Sequence, residues 1–166
     1  MSGITLRRAT PDDVDFLVEL VNDEDTRRFL GNRVSDTRAA ALADLARPAE
    51  EFGWYVIEVD GERAGCVAFE RVSEQHRIVS AGRFAVHPSF RERRIGVEAA
   101  RLFQRLLLHD LGFHRVELHI YGFNERAIAH AERAGYVREG VKRRAYLKDG
   151  EWVDAVLFAL TCEDLD

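Results

Sequence analysis

The chain is poor in the residue types that mark several protein classes. Of its 166 residues, two are cysteine, three are proline and one is methionine. Cys66 and Cys162 stand in separate apolar runs without CxxC spacing, so no metal site is expected and buried, reduced thiols are. No apolar run approaches the roughly 20 residues that cross a bilayer, and no membrane partner is expected. The opening MSGITLRRATPDD lacks the basic-then-apolar layout of a signal peptide, which makes the cytoplasm the expected compartment. An excess of positive charge is missing too. A net charge of −5 argues against nucleic acid as a partner, with Arg138, Lys142, Arg143 and Arg144 on one predicted strand as the weaker alternative. No linker, repeat or low-complexity segment divides the chain, so one domain over residues 1–166 is expected.

The periodicities give an alternating α/β order. ITLRRA alternates as a strand; Thr10, Pro11, Asp12 and Asp13 then supply a capping hydroxyl, a proline for the first helical position and acids for the helix dipole. The helix that follows is predicted to bury Val14, Leu17, Val18 and Val21. A second helix is predicted after Ser35, with Ala39, Leu42, Ala43 and Ala46 inward, ending before Pro48. WYVIEV and ERAGCVAFERV read as a hairpin turned at Asp60-Gly61, and RIVSAGRFAV as the next strand. A long helix is expected from Val97 to Leu111, with Ala99, Leu102, Phe103, Leu106 and Leu107 inward and Gly112 as its stop. RVELHIY alternates, with Val116, Leu118 and Ile120 opposite Glu117, His119 and Tyr121. Asn124 opens a short helix that Gly135 ends, and two strands turned at Asp149-Gly150 close the chain.

Charge is concentrated at one junction. From Arg91 to Arg105 five arginines face two glutamates, at the point where a strand passes through VHPSFRERR into the long helix. The first N–H groups of a helix have no intrahelical partner and its dipole favours negative charge there. Arg91, Arg93 and Arg94 would add charge-assisted hydrogen bonds to a diphosphate. A solvated, arginine-rich helix entry fits the same residues.

Two motifs on these elements resemble those of the GNAT superfamily, the acyl-CoA-dependent N-acyltransferases, and the resemblance covers essentially the whole chain. The first is Arg or Gln, two residues, Gly, one residue, then Gly or Ala, met here by Arg91, Glu92, Arg93, Arg94, Ile95 and Gly96. The second is Asn, Ala and a Gly-aromatic pair, met by Asn124, Ala127, Gly135 and Tyr136. The closing AYLKDGEWVDAVLFAL resembles the branch with ribosomal-protein and polyamine acetyltransferases. The resemblance implies one α/β domain, with a mixed, mostly antiparallel sheet flanked by helices on both faces. It implies acetyl-CoA as co-substrate, its pyrophosphate on the backbone from Arg91 to Val97 and its pantetheine along Phe84, Ala85 and Val86. Asn124 would contact the co-substrate or brace the separated strands. The chain departs from the pattern at Arg94 and Glu92, where glycines are common, so that Arg94 either holds a helical conformation or displaces the pyrophosphate. It departs again at Ala131, where many relatives carry the tyrosine that protonates the leaving thiolate.

The implied reaction is acetyl transfer to a primary amine such as a polyamine, an aminoglycoside or a protein N-terminus. By analogy the Val86 N–H is the oxyanion donor. His119 and Glu70 are the candidate bases, and Tyr121 or Tyr146 the candidate acid. His130 neighbours the vacant position, but adjacent helical residues point about 100° apart, so it is no simple substitute. NDEDTRRFLGNRVSD and the last hairpin would wall the acceptor site, with Asp23, Glu24 and Asp25 attracting a cation. The rival class is an acyl-CoA-binding or interaction module that kept the fold and lost efficient chemistry. The terminal hairpin also offers an edge for pairing in a homodimer.

Overall fold

Among the described residues, seven strands form one sheet in the order β1-β2-β3-β4-β5-β7-β6. The computed structural model describes residues 3–30 and 35–165, with the side chain of Glu92 outside that description. β1 (Ile4–Arg8), β2 (Phe52–Val59), β3 (Glu62–Ser73) and β4 (Ile78–Val86) are successive antiparallel neighbours. β5 (Arg115–Tyr121) lies parallel to β4, and β7 (Glu151–Thr161) separates it from the edge strand β6 (Val137–Lys148). Both hairpin turns adopt the conformation their sequences call for. Asp60 and Gly61 have φ of 50° and 84°, and Asp149 and Gly150 have φ of 51° and 81°, positive at both central positions as a type I′ turn demands.

Helices cover both faces. α1 (Val14–Asn22), α2 (Glu24–Arg27) and α3 (Arg38–Leu45) lie on the side where Trp54, Val56, Cys66 and Ala68 are buried. α4 (Gly96–Arg105) and α5 (Glu125–Arg133) cover the other, packing Ala99, Phe103 and Ala131 against Tyr55, Val67, Phe69 and Val79. The short α2 was not anticipated. The inner face of α3 also differs from expectation: Ala41 is buried with Leu42 and Leu45 beside it, while Ala39, Ala43 and Ala46 are exposed. At about 0.8 kcal/mol per buried methylene, two leucines outweigh three alanines in choosing which face turns inward. The long helix ends in a wide turn, Leu106–Asp110, with Leu111 N–H bonded to the Leu106 carbonyl. That extra residue shifts the helical phase, so Leu107 and Leu108 are both buried.

The feature that shapes the site is in β4. Its pairing with β3 runs Ala68 to Gly82 and then Cys66 to Ala85, three residues against two, and Arg83 sits at the bulge with φ 50°. The bulge inverts the facing of the strand: Val79 and Ala81 pack toward α4 before it, Phe84 and Val86 after it. Arg83 is held on the opposite face, 2.9 Å from Asp44 and with its guanidinium over the rings of Phe52 and Trp54. Beyond the bulge β4 has no ladder partner in β5. The parallel pairing stops after Ile78–Arg115, Val79–Val116 and Ser80–Glu117, although β4 runs on to Val86 and β5 to Tyr121.

A 3₁₀ segment, Pro88–Arg93, leads from β4 into α4, and Arg94 closes it in the left-handed region at φ 54°, ψ 38°. The backbone differs from the helical conformation considered at this position: arginine adopts the left-handed conformation that glycine would occupy without strain. That conformation costs an L-residue about 1–2 kcal/mol, part of which glycine returns through its freer unfolded chain. Replacing Arg94 by glycine is therefore expected to raise stability by about 0.5–1 kcal/mol in urea unfolding at unchanged slope. A loss of stability would show that the arginine side chain contributes more than its backbone costs.

Candidate active site

The unpaired ends of β4 and β5 form a wedge that opens beside the N-terminus of α4. His87 N–H bonds back to the Ala64 carbonyl of β3 at 2.7 Å. Because successive N–H groups along a strand alternate in direction, the Val86 N–H points away from β3, toward the wedge. The Val86 carbonyl accepts from Arg91 Nε at 3.0 Å. Phe84 is half-buried and Ala85 is buried. At the start of α4 no side chain of the N-cap residue Ile95 bonds to the helix, leaving the first-turn N–H groups, including those of Gly96 and Val97, without intrahelical partners. A strand edge lacking a partner and an uncapped helix N-terminus, joined by a nine-residue loop, suit an extended ligand ending in a phosphate.

The three arginines of the loop do not act as one cluster. Arg91 is committed to structure: Nη2 lies 2.7 Å from Asp23 and 3.3 Å from Thr26, and Nη1 lies 3.5 Å from Asp25. The expectation that its side chain joins a diphosphate is corrected on this point. Arg93 lies over the ring of Phe90, and Arg94 is exposed. The same bonds lower Asp23 from the ordinary carboxylate value, chiefly through the hydrogen bond from Arg91, and pair two of the three acids expected to attract a cation. Residues 31–34 of the expected acceptor wall lie outside the described residues.

The candidate acid–base groups separate by location. Glu70 pairs with Ser80, five residues along β3 from the Gly65 that faces Val86, or about 17 Å at ~3.3 Å per residue. Its carboxylate bonds to Arg47. It is therefore at the wrong end of β4 to meet a ligand at Val86. His119 and Tyr121 lie on β5 beyond its last pair with β4, on the face opposite Leu118 and Ile120, which pack with α4 and α5. His119 is half-buried, and burial first, then Lys142, holds its imidazole below the ordinary value. It is uncharged at neutral pH. Tyr121 is buried, stacks on Phe123 and meets Tyr146 edge-on, with Lys148 Nζ 5.7 Å above its ring. Burial, followed by Tyr146 and Asp149, raises its phenol, which keeps it a protonated donor.

On α5, Asn124 is the N-cap: its side chain accepts from the Ala127 N–H at 3.1 Å, and its own N–H bonds to the Tyr121 carbonyl. Asn124 thus fixes the start of α5 against the end of β5. Ala131 points into the core and is 1% exposed. The neighbouring His130 is packed between β4 and α4, with its ring 5.0 Å from Phe84 and Nε2 against Gly96, where an added Cβ would stand 3.1 Å away. That nitrogen is buried without a hydrogen-bond partner.

Two concavities flank the strand end. One of about 260 Å³ is lined by Glu19, Leu20, Asn22, Asp23, His87 and Pro88. The larger, about 560 Å³, shares His87 but opens toward Arg7, Glu58 and Arg63. There Arg7 and Arg63 are already bonded to the fully buried Asp13. Cys66 is buried, and burial pushes its thiol up to about 11. Cys162 departs from expectation, being half-buried with Sγ 3.4 Å from His114 Nδ1.

Comparison with known proteins agrees with this geometry. Residues 4–137 match the family described as Acetyltransferase (GNAT) domain. Over 99% of its length the chain is 23% identical to the SPbeta prophage-derived uncharacterized N-acetyltransferase YokL of Bacillus subtilis (strain 168), covering 93% of that protein. Spermidine N-acetyltransferase from Vibrio cholerae, solved in complex with CoA and spermine, superposes with a TM-score of 0.85 at 18% identity, covering 97% of this chain and 96% of that one. A chimera of the Vibrio cholerae enzyme SpeG and hSSAT gives a TM-score of 0.83 at 16% identity, covering 96% of each chain. The loop into α4, the splayed strands and the family match together establish that the chain belongs to the GNAT acetyltransferase family, as an N-acetyltransferase with acetyl-CoA as its co-substrate.

Proposed function

We propose that this protein transfers the acetyl group of acetyl-CoA to a primary amine at the mouth of the β4–β5 wedge, with Val86 and His119 as the reacting groups' nearest aids. The observation that carries this reading is the loss of β4–β5 pairing after Ser80 and Glu117, next to an uncapped helix N-terminus. The co-substrate supplies an activated acetyl thioester. The backbone of Gly96 and Val97 would hold its diphosphate, and the edge from Phe84 to Val86 its pantetheine.

The Val86 N–H, directed away from β3, would stabilise negative charge on the carbonyl oxygen. His119, neutral at pH 7, would take the proton from an alkylammonium whose own pKa is near ~10.4, directly or through water. Tyr121, kept protonated, is the available donor on the same face. With Ala131 in the core, no tyrosine on α5 occupies the acid position. A thiolate with a parent pKa near ~8.5 leaves tolerably without full protonation.

The acceptor is proposed as a small amine of polyamine or aminoglycoside type or a protein N-terminus. The spermidine acetyltransferases among the structural neighbours support the first. The ion pairs of Asp23 and Asp25 with Arg91 leave a polycation less to bind than the sequence promised, so the amine panel should span all three. Amine-dependent release of free CoA establishes the enzyme reading. Tight acetyl-CoA binding with no release across the panel would favour the rival, a binding module of this fold.

Two variants test the assigned parts. Replacing Gly96 by glutamate places a Cβ against His130 and a negative charge at the phosphate position, and should weaken CoA binding in calorimetry by about tenfold or more. Unchanged affinity would remove the diphosphate from this helix end. Replacing His119 by alanine should lower turnover by about 10²- to 10⁴-fold and abolish the acid limb of the pH profile. That limb falls as pH drops through the lowered imidazole value, because only the neutral ring accepts a proton. A profile superimposable on the parent's would exclude His119 as the base.

A further inference from the structure

At the end of β5 far from the wedge, among the described residues, His114, Cys162 and Glu163 bring three ligand atoms of different kinds within 4.8 Å of one another. We propose that they form a Zn²⁺ site, with the Cys162 thiolate, His114 Nδ1 and a Glu163 oxygen as ligands and water in the fourth position. The cluster stands apart from acyl transfer, since the length of β5 from Arg115 to Tyr121, about 20 Å at ~3.3 Å per residue, separates it from the wedge. Neither its residues nor its test involves the proposed placement of acetyl-CoA.

The distances already match a metal-bound geometry. Cys162 Sγ lies 3.4 Å from His114 Nδ1 and 3.6 Å from Glu163 Oε2. Zinc bonds sulfur at about 2.3 Å and nitrogen or oxygen at about 2.0–2.2 Å, so sulfur and its neighbouring ligand on a tetrahedral ion stand about 3.5 Å apart. Both sulfur contacts have that length. Glu163 is exposed and closes the remaining edge, from its oxygen to Nδ1, by side-chain rotation. A thiolate and an imidazole select zinc over magnesium and calcium, which take oxygen ligands.

The backbone holds the first two ligands in place. His114 N–H bonds to the Arg77 carbonyl at 2.8 Å, and Cys162 N–H bonds to the His114 carbonyl at 3.0 Å. That pair extends the β5–β7 ladder by one step beyond Arg115 and Thr161. The 3₁₀ turn Cys162–Asp164 is closed by Asp164, whose carboxylate accepts from the Thr161 N–H at 2.8 Å and hydroxyl at 3.1 Å. Asp164 is thus committed to the turn, and Glu163 is the acid that reaches the sulfur. The guanidinium of Arg115 is taken up by Glu117 and Glu139. The ligands stand 48 residues apart in the chain, outside the close Cys and His spacings by which zinc sites are read from sequence.

Without an ion the three groups are linked by protons alone, and a thiol is a weak donor and acceptor. On binding, the sulfur releases its proton to solvent, Nδ1 supplies its lone pair and the imidazole keeps its proton on Nε2. The ion then ties the turn after β7, where Cys162 and Leu165 pack against the core, to the residue that precedes β5.

The test uses Co²⁺ as a spectroscopic stand-in for Zn²⁺ on the full chain, kept reduced with a phosphine. The expected result is a thiolate-to-cobalt charge-transfer band with the intense visible bands of tetrahedral coordination, saturating at one ion per chain, displaced by Zn²⁺ and untouched by Mg²⁺. Cys162→Ser should abolish the charge-transfer band, and His114→Gln or Glu163→Gln should weaken Co²⁺ binding by about tenfold or more. Zn²⁺ should also raise the unfolding midpoint of the parent, and not of Cys162→Ser. Because Glu163 is exposed, its variant keeps the test available whatever Cys162→Ser does to folding. A parent spectrum without the charge-transfer band in excess Co²⁺ overturns the site, as does a Co²⁺ affinity that Glu163→Gln leaves unchanged.

Discussion

Parallel pairing between β4 and β5 ends after three residue pairs, and the rest of the site depends on that interruption. Its cause is local. One extra residue at Gly82 and Arg83 breaks the β3–β4 register, and the Arg83 side chain is pinned on the far face by Asp44, Phe52 and Trp54. A bulged strand bends and twists more strongly, so the end of β4 departs from β5. Backbone groups that would have joined a ladder are left facing a cleft. Such groups are costly to bury unpaired, and a ligand with amide groups along its length is a chemically natural partner for them.

Arg91 ties this cleft to the junction of α1 and α2. A single guanidinium bonds the Val86 carbonyl at the strand end and Asp23, Thr26 and Asp25 at the junction of α1 and α2. The loop proposed to face the phosphate, the residue proposed for the oxyanion and the helices proposed to border the acceptor are thereby held in one unit. Preorganisation of this kind lets backbone dipoles act on developing charge without rearranging during the reaction. Arg94 carries backbone strain in the same loop at φ 54°, which fits the tendency of strained conformations to gather at functional sites.

Much of the frame was legible in the sequence because it follows from period and turn chemistry. Both Asp-Gly turns, the β2–β3 hairpin and the burial of Val14, Leu17 and Val21 on α1 depend on local rules that the tertiary structure did not override, though Leu20 is buried on α1 where Val18 was expected. The face of α3 was misread because alanines carry little apolar area and leave the choice to Leu42 and Leu45. At the site, the motif residues from Arg91 to Gly96 were found in order, but side-chain commitments across 65 to 68 residues of chain, such as Arg91 with Asp23 and Thr26, have no sequence signal. Glu70 was chosen for its place at a strand end, and the register put that end far from Val86. The bulge did leave a signal: an isolated glycine, Gly82, within a strand pattern. His130 and Ala131 were set apart by the helical phase of α5 alone, which turned the expected acid position into the core and its neighbour against Phe84.

The central claim is that the co-substrate occupies the wedge between β4 and β5 and rests on the N-terminus of α4. Amide hydrogen exchange, followed residue by residue with and without acetyl-CoA, tests it most directly, because the groups concerned are backbone N–H groups. The account predicts slowed exchange at Val86, Gly96 and Val97, with β1, β2 and the tip of the terminal hairpin unchanged. Saturating acetyl-CoA that protects other segments and leaves these three amides exchanging as before would contradict it.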